Sequence, residues 1–122
     1  MRSTAAAAAL FLLGSCSLLA GCHSYRIDAT VENRTGAAIE LLEVDYPSAS
    51  FGADALAAGA DYHYRFQVRL SGPIKVQYTE TGTHRVRQLS GPTLFEGQEG
   101  RIEIVLLPDG KASFHTELNP HH

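Results

Sequence analysis

Residues 62–70 read YHYRFQVRL, a stretch in which every second side chain is apolar or aromatic. A period of two is typical of a β-strand with one face in the core, because successive side chains of a strand point to opposite sides. The stretch therefore predicts a strand that is buried on one face. The predicted inward residues are Tyr62, Tyr64, Phe66, Val68 and Leu70.

The same alternation runs through most of the chain after residue 23. It predicts further strands at residues 24–33, 37–46, 73–79, 84–89, 101–107 and 111–118. Pro108, Asp109 and Gly110 stand between the last two runs, and this combination of residues is typical of a hairpin turn. The sequence therefore predicts strands joined by turns and no substantial helix.

The second strand and the segment after it depart from the simple pattern. The apolar phase changes between Leu41 and Leu42, which predicts a β-bulge. Residues 47–60 read PSASFGADALAAGA and are rich in Gly, Ala and Ser. We predict a long connection there, with Leu56 filling a gap in the core.

About seven short strands in regular succession predict an all-β fold, an antiparallel β-sandwich. The pattern resembles immunoglobulin-like and transthyretin-like sandwiches. The Cys and Trp core of antibody domains is absent, since the chain holds no Trp. The resemblance therefore concerns architecture alone and implies no functional residues.

The N-terminus has the organisation of a secretory signal peptide. Arg2 supplies a positive charge, residues 5–13 are uninterrupted apolar sequence, and small residues precede Cys22. A membrane span needs about 20 consecutive apolar residues, and the polar interruption GSCS at residues 14–17 breaks this one.

The sequence Leu19-Ala20-Gly21-Cys22 resembles a bacterial lipobox. The resemblance implies that Cys22 receives a diacylglycerol and becomes the first residue after cleavage. It divides the chain into a lipoprotein signal peptide, residues 1–21, and a single β-sandwich domain, residues 22–122. A second cysteine, Cys16, fits less well. The next residue is His23 rather than the Asp that retains enterobacterial lipoproteins in the inner membrane, which favours the outer membrane, facing the periplasm.

Composition after the cleavage site excludes several classes of function. The segment 22–122 carries 9 Lys and Arg against 13 Asp and Glu, which argues against nucleic acid as a partner. With Cys16 removed and Cys22 acylated, no thiol is left for a disulfide, a zinc site or a nucleophile.

Catalytic groups show no recognisable pattern. His63, His84 and His115 are far apart in the sequence, so we predict neither a metal site nor another cofactor. No Gly-x-Ser-x-Gly motif is present, and we predict a protein that is not an enzyme. Carbohydrate sites usually expose an aromatic platform, for which Tyr46 and Phe51 are the candidates.

Positive charge is concentrated between residues 62 and 90. This segment holds five cations against the single acid Glu80: Arg65, Arg69, Lys75, Arg85 and Arg87. If its strands form a meander, these side chains share one polar face, and such a face fits an anionic partner. Acidic neighbouring strands would offset the charge, and a division of the strands between two sheets would disperse it.

Two functions follow as hypotheses. The first is a lipid-anchored, non-enzymatic interaction or structural module of the cell envelope, which binds an unidentified envelope protein. The alternative is a binding module for anionic lipid or glycan that uses the basic face.

Overall fold

The computed structural model describes residues 25–119, which form eight β-strands. These are β1 (Ile27–Asn33), β2 (Ile39–Tyr46), β3 (Ala49–Leu56), β4 (Asp61–Phe66), β5 (Gly72–Glu80), β6 (Val86–Leu94), β7 (Gly100–Leu107) and β8 (Lys111–Leu118). The predicted signal peptide and the predicted lipobox with Cys22 lie outside the described residues. Between residues 25 and 119, no helix has the length and hydropathy of a membrane span.

The strands form two packed four-stranded sheets, so the predicted all-β sandwich is confirmed. The first sheet has the order β4-β1-β7-β8 and the second the order β3-β2-β5-β6. The strand number is eight rather than about seven. One pairing also departs from the antiparallel prediction, because β1 and β7 run parallel.

The core lies between the sheets and is built from the alternating residues of the central strands. Its largest fully buried side chains are Tyr78, Ile27, Ile39, Ile74, Leu94, Ile102, Ile104, Leu106, Val31, Val44, Val68 and Val76. Alternation is clearest in β1, β5 and β7, where one face meets the core and the other meets solvent. In these strands the alternation of apolar and polar residues coincides with the buried and exposed faces.

Strand β4 buries less than its pattern predicts. Phe66 and Val68 are buried, but Tyr64 is 40% exposed and Leu70 is 59% exposed. β4 ends at Phe66 and lies at the edge of the first sheet, where the second sheet covers it incompletely. Tyr64 faces inward as predicted, since it pairs with Ala29 and stacks on Phe51, but it is incompletely covered at the sheet edge. The prediction that Leu70 is an inward residue is wrong.

The predicted long connection contains β3. Its buried side chains are Phe51 and Leu56, and the intervening sequence Gly-Ala-Asp-Ala gives little periodicity. The bulge on the neighbouring strand is confirmed, since Leu41 has a φ of 52° and the register with β5 shifts there. A Cβ on Gly52 would overlap the carbonyl oxygen of Leu42, so β3 can pair closely along the bulge only because this residue is glycine.

The sandwich has two ends, which we name after a residue at each. The Asn33 end comprises the connections at residues 34–38, 57–60, 81–85 and 108–110. The Tyr25 end comprises the start of β1, the end of β8, and the connections at residues 47–48, 67–71 and 95–99. The two sets of connections therefore lie at opposite ends of the molecule.

Candidate binding surface

The five cations between residues 62 and 90 do not share one sheet. β4 belongs to the first sheet, while β5 and β6 belong to the second, so the predicted meander of these three strands is not formed. Arg65 lies on the outer face of the first sheet and Lys75 on the outer face of the second, on opposite sides of the sandwich. The alternative of strands divided between two sheets is the one that the structure has.

Arg65 belongs to a row of alternating charges across the first sheet. Its Nε donates to Asp28 Oδ1 at 2.7 Å, and Asp28 is level with Arg101 on β7. Arg101 in turn donates to Glu117 Oε2 on β8 at 2.7 Å. The row therefore places each cation beside an acid, and the charge of Arg65 is offset locally.

Arg87 points in the direction opposite to the predicted one. It is half-buried, opposite the buried Tyr78 on β5, while Val86 is 54% exposed. Its Nε lies 3.3 Å from Glu80 Oε2, and its guanidinium packs against Gly110, where a Cβ would come within 2.7 Å of Nη1. The Arg87 side chain thus covers the β7–β8 turn at the Asn33 end of the sandwich.

Arg85 and Arg87 both act on Glu80. The pKa of Glu80 is lowered, first by a hydrogen bond that Thr83 Oγ1 donates at 2.9 Å, then by Arg87 and Arg85. Partial burial opposes this shift. Glu80 therefore offsets part of the positive charge of these two arginines in the turn that follows β5.

Lys75 and Arg69 lie on two other parts of the protein surface. Lys75 is level with Asp45 on β2, and both line a shallow cavity of about 440 Å³ with Gln77 and Gln88. Arg69 is exposed in the 67–71 connection, where its Nη2 donates to a neighbouring glutamine at 3.3 Å. Apart from Arg85 and Arg87, which share one turn, the five cations therefore lie on separate parts of the surface.

An acidic pair also lies on the outer face of the second sheet. Glu43 and Asp45 stand two residues apart on β2 and point the same way. The pKa of Glu43 is raised, chiefly by a hydrogen bond with Asp45 and then by repulsion from its charge. Lys75 thus faces acids rather than further cations.

Five aromatic side chains meet where β3 and β4 lie side by side, and we call this group the aromatic edge. It consists of Tyr46, Phe51, Tyr62, Tyr64 and Phe66. The rings of Phe51 and Tyr64 stack with centroids 4.5 Å apart, and those of Tyr46 and Phe66 lie 4.3 Å apart. Phe51 is buried, so of the two residues predicted as a platform only Tyr46 keeps partial exposure.

Tyr64 is the most exposed ring of the aromatic edge, and the sequence pattern placed it in the core. Its exposure follows from the position of β4 at a sheet edge, which alternation within one strand does not reveal. Tyr46 lies near Tyr64 and Arg69: burial raises its pKa most, Tyr64 raises it further, and Arg69 opposes the shift.

Strand β3 is an edge with little protection against pairing. It has one neighbour, β2, in the described part of the chain. Natural edge strands usually carry Lys, Pro or inward charges that prevent further strands from adding. The eight residues ASFGADAL contain neither Lys nor Pro and a single charge, Asp54. By contrast, β6 contains Pro92, and β8 contains Lys111.

The histidines are dispersed, as their spacing predicts. His63 lies on β4 with Nδ1 3.0 Å from Thr30 Oγ1, and His115 lies on β8 with Nε2 3.8 Å from Glu117 Oε1. His84 is in the turn before β6. Across residues 25–119, no group of three His, Cys, Asp or Glu residues is placed to hold a metal ion.

Comparisons with known proteins add support for the fold. No protein-family model and no curated protein matches the chain. One solved structure is similar, described as the NMR structure of a protein from Eubacterium rectale. The similarity has a TM-score of 0.54 at 11% identity, over 74% of this chain and 86% of that one. At this identity the likeness supports the sandwich fold alone.

Proposed function

We propose that this protein is a lipid-anchored, non-enzymatic module of the bacterial cell envelope, which binds a protein partner along strand β3. The proposal combines two features. The lipobox at residues 19–22 supplies the anchor, and the unprotected edge of β3 beside the aromatic edge supplies the binding surface. The single observation that carries the binding surface is the composition of β3.

A partner strand gains backbone hydrogen bonds by adding to a free sheet edge, and side chains beside that edge give specificity. β3 offers a strand of eight residues whose free edge can pair with a partner backbone, and most of its residues are small. Tyr64 of β4, stacked on Phe51 of β3, provides an exposed apolar contact for the partner's side chains. Aromatic rings of this kind contribute strongly to protein interfaces.

The anchor fits this function because it keeps the domain at a surface where partners are concentrated. Each buried CH₂ contributes about 0.8 kcal/mol, so a stable anchor needs two or more acyl chains. A diacylglycerol on Cys22 provides two. By the analogy based on His23, the domain faces the periplasm from the outer membrane.

Site-specific photocrosslinking tests the binding surface. A photoreactive residue is placed at Ala55 on β3 and, as a matched control, at Ser90 on the opposite edge strand β6; both positions are exposed. We expect a discrete protein adduct from position 55 in the native envelope and none from position 90. Equal adducts at both positions would contradict β3 as the binding edge.

The anchor has its own test. We expect Cys22→Ala to abolish incorporation of labelled palmitate and Cys16→Ala to leave it unchanged, because the lipobox ends at Cys22. Continued labelling of the Cys22→Ala variant would contradict the assignment.

The alternative ligand class, anionic lipid or glycan, is an outcome of the same experiments. Binding through the cations requires a steep loss with rising salt, because exposed charges are screened within about 8 Å at physiological ionic strength. Adducts that contain only lipid or glycan, together with weaker binding by Arg65→Glu and Arg69→Glu variants, would favour it over a protein partner.

A further inference from the structure

The Tyr25 end carries exposed apolar and cationic side chains together. Leu70 is 59% exposed and Tyr25 is 45% exposed, and both Arg26 and Arg69 are exposed. They belong to one end because Ile27, at the start of β1, pairs with Phe66, the last residue of β4 before the 67–71 connection. Apolar and tyrosine side chains flanked by arginines are typical of a surface that meets a lipid headgroup region.

The backbone holds Leu70 in its outward position. Val68 is buried, and its carbonyl oxygen accepts a hydrogen bond from Gly97 N at 3.1 Å. On the other side, Ser71 Oγ accepts a hydrogen bond from Glu96 N at 3.0 Å. These contacts join the 67–71 connection to the 95–99 connection on both sides of Leu70, whose side chain is left in solvent.

The length of chain between the lipid and the sandwich fixes where this end lies. The argument rests on the proposed function, in which Cys22 carries the lipid. Cys22 and Tyr25 are three residues apart, so their Cα atoms lie within about 11 Å of each other whatever conformation the intervening residues adopt. The headgroup region on each side of a bilayer is about 6 Å deep.

We infer that the Tyr25 end docks on the phospholipid bilayer that holds the anchor. Leu70 and Tyr25 enter the boundary between headgroups and acyl chains, and Arg26 and Arg69 lie level with the phosphates. Glu96 and Glu99 belong to the same end, so the two arginines are balanced by two acids. Docking therefore depends on apolar burial and has little dependence on salt.

This orientation completes the proposed function. With the Tyr25 end on the bilayer, the strands stand away from the membrane and the Asn33 end is remote from it. The edge of β3 then runs along the side of the sandwich and is open to a partner in the periplasm.

Tryptophan fluorescence tests the inference, because the chain has no Trp of its own. The full-length lipidated protein is reconstituted in phosphatidylcholine vesicles whose acyl chains are brominated. Leu70→Trp is compared with Val86→Trp, which places the same ring at an equally exposed position of the Asn33 end. We expect Leu70→Trp to lose most of its emission and shift to the blue, and Val86→Trp to remain bright, in low and high salt alike.

A second pair of variants tests whether the Tyr25 end enters the bilayer or is only held near it by the tether. Tyr25→Trp alone, and Tyr25→Trp combined with Leu70→Asp, have the same tether. We expect the added Asp to restore the emission of the Trp at position 25, since a charge replaces the side chain that enters the bilayer.

The two hypotheses fail in different ways. Absence of labelled lipid on Cys22 would overturn the proposed anchor and, with it, the docking. Normal lipid incorporation with a bright Trp at position 70 would overturn the docking alone and leave the anchor and the β3 edge in place.

Discussion

The two ends of the sandwich are built differently. At the Asn33 end, one fully buried amide side chain joins two connections, and an arginine covers the β7–β8 turn. At the Tyr25 end, the buried amide of Gln98 joins fewer groups, and Leu70 faces solvent. The Asn33 end also exposes an apolar side chain, Val86, so the two ends differ in the number of their internal hydrogen bonds and in the cations that lie beside the exposed apolar residues.

The side chain of Asn33 forms hydrogen bonds with several backbone groups at the Asn33 end. Its Nδ2 donates to the carbonyl oxygens of Ala37, Leu56 and Ala57 at 2.8, 3.0 and 3.1 Å. Its Oδ1 accepts from Thr35 N at 3.1 Å and from Thr35 Oγ1 at 2.7 Å. Buried carbonyl groups need such partners, so we infer that this end contributes strongly to stability.

The largest expected effect is that of Asn33→Ala. Removing the amide abolishes the hydrogen bonds with Ala37 O, Leu56 O, Ala57 O and Thr35, and we expect a loss of about 3 kcal/mol in the free energy of unfolding. Two of these carbonyl groups keep one other donor, Thr35 Oγ1 for Ala37 O and Ala60 N for Ala57 O. Urea denaturation of the variant and the original protein measures the difference. A loss below about 1 kcal/mol would show that water replaces the amide and that the Asn33 end is not the stronger one.

Gln98→Ala makes the matching change at the Tyr25 end. Gln98 Oε1 accepts from Phe95 N and its Nε2 donates to Asn119 O, each at 2.9 Å. Fewer groups lose a partner, so we expect a loss of about 1–2 kcal/mol in the same denaturation experiment. An effect equal to that of Asn33→Ala would remove the contrast in stability between the ends.

The sequence predicts the central strands well because they are covered on one whole face. Ile102, Ile104 and Leu106 alternate with exposed or half-exposed residues along β7, and a periodic pattern records this directly. Edge strands lack that constraint. In β3, only Phe51 and Leu56 are buried, and the small residues between them suit either a strand or a loop.

The candidate surfaces were harder to predict for a related reason. Alternation tells which side of a strand is buried, but not which sheet the strand joins. The pattern therefore could not predict that Arg65 and Lys75 lie on different sheets. In β6, the half-buried position belongs to Arg87 because Glu80 and Gly110 receive its side chain there. The sequence pattern predicted Arg87 on a polar outer face with the other cations.

A smaller effect is expected from the ion pair at the Asn33 end. The folded-state pKa of Glu80 is lowered from its ordinary value of 4.5, so its charge stabilises the fold at neutral pH and this contribution is lost as the pH falls through the lowered pKa. We expect Glu80→Gln to be less stable than the original at pH 7 and equally stable in strong acid. Denaturation across this pH range measures the convergence.

Glu43→Gln serves as the control of opposite sign. The pKa of Glu43 is raised by its contact with Asp45, so its stabilising contribution is present in acid and is lost as the pH rises through the raised pKa. We expect this variant to be at least as stable as the original at pH 7 and less stable near pH 4. If the stability of both variants, relative to the original, changed with pH in the same direction, neither local contact would set the pH dependence.

The smallest expected effect on stability is that of Leu70→Ser at the Tyr25 end. Most of this side chain already contacts solvent, so its removal from an exposed site should change the free energy of unfolding by no more than about 0.5 kcal/mol. Denaturation in detergent-free buffer measures that value in a Cys22→Ala background, in which the anchor is expected to be absent. On the bilayer, the same substitution in the lipidated protein should weaken quenching of a Trp at position 25. A large loss of stability would instead assign Leu70 to the packing of its own connection, and the Tyr25 end would then be closed by internal contacts as the Asn33 end is.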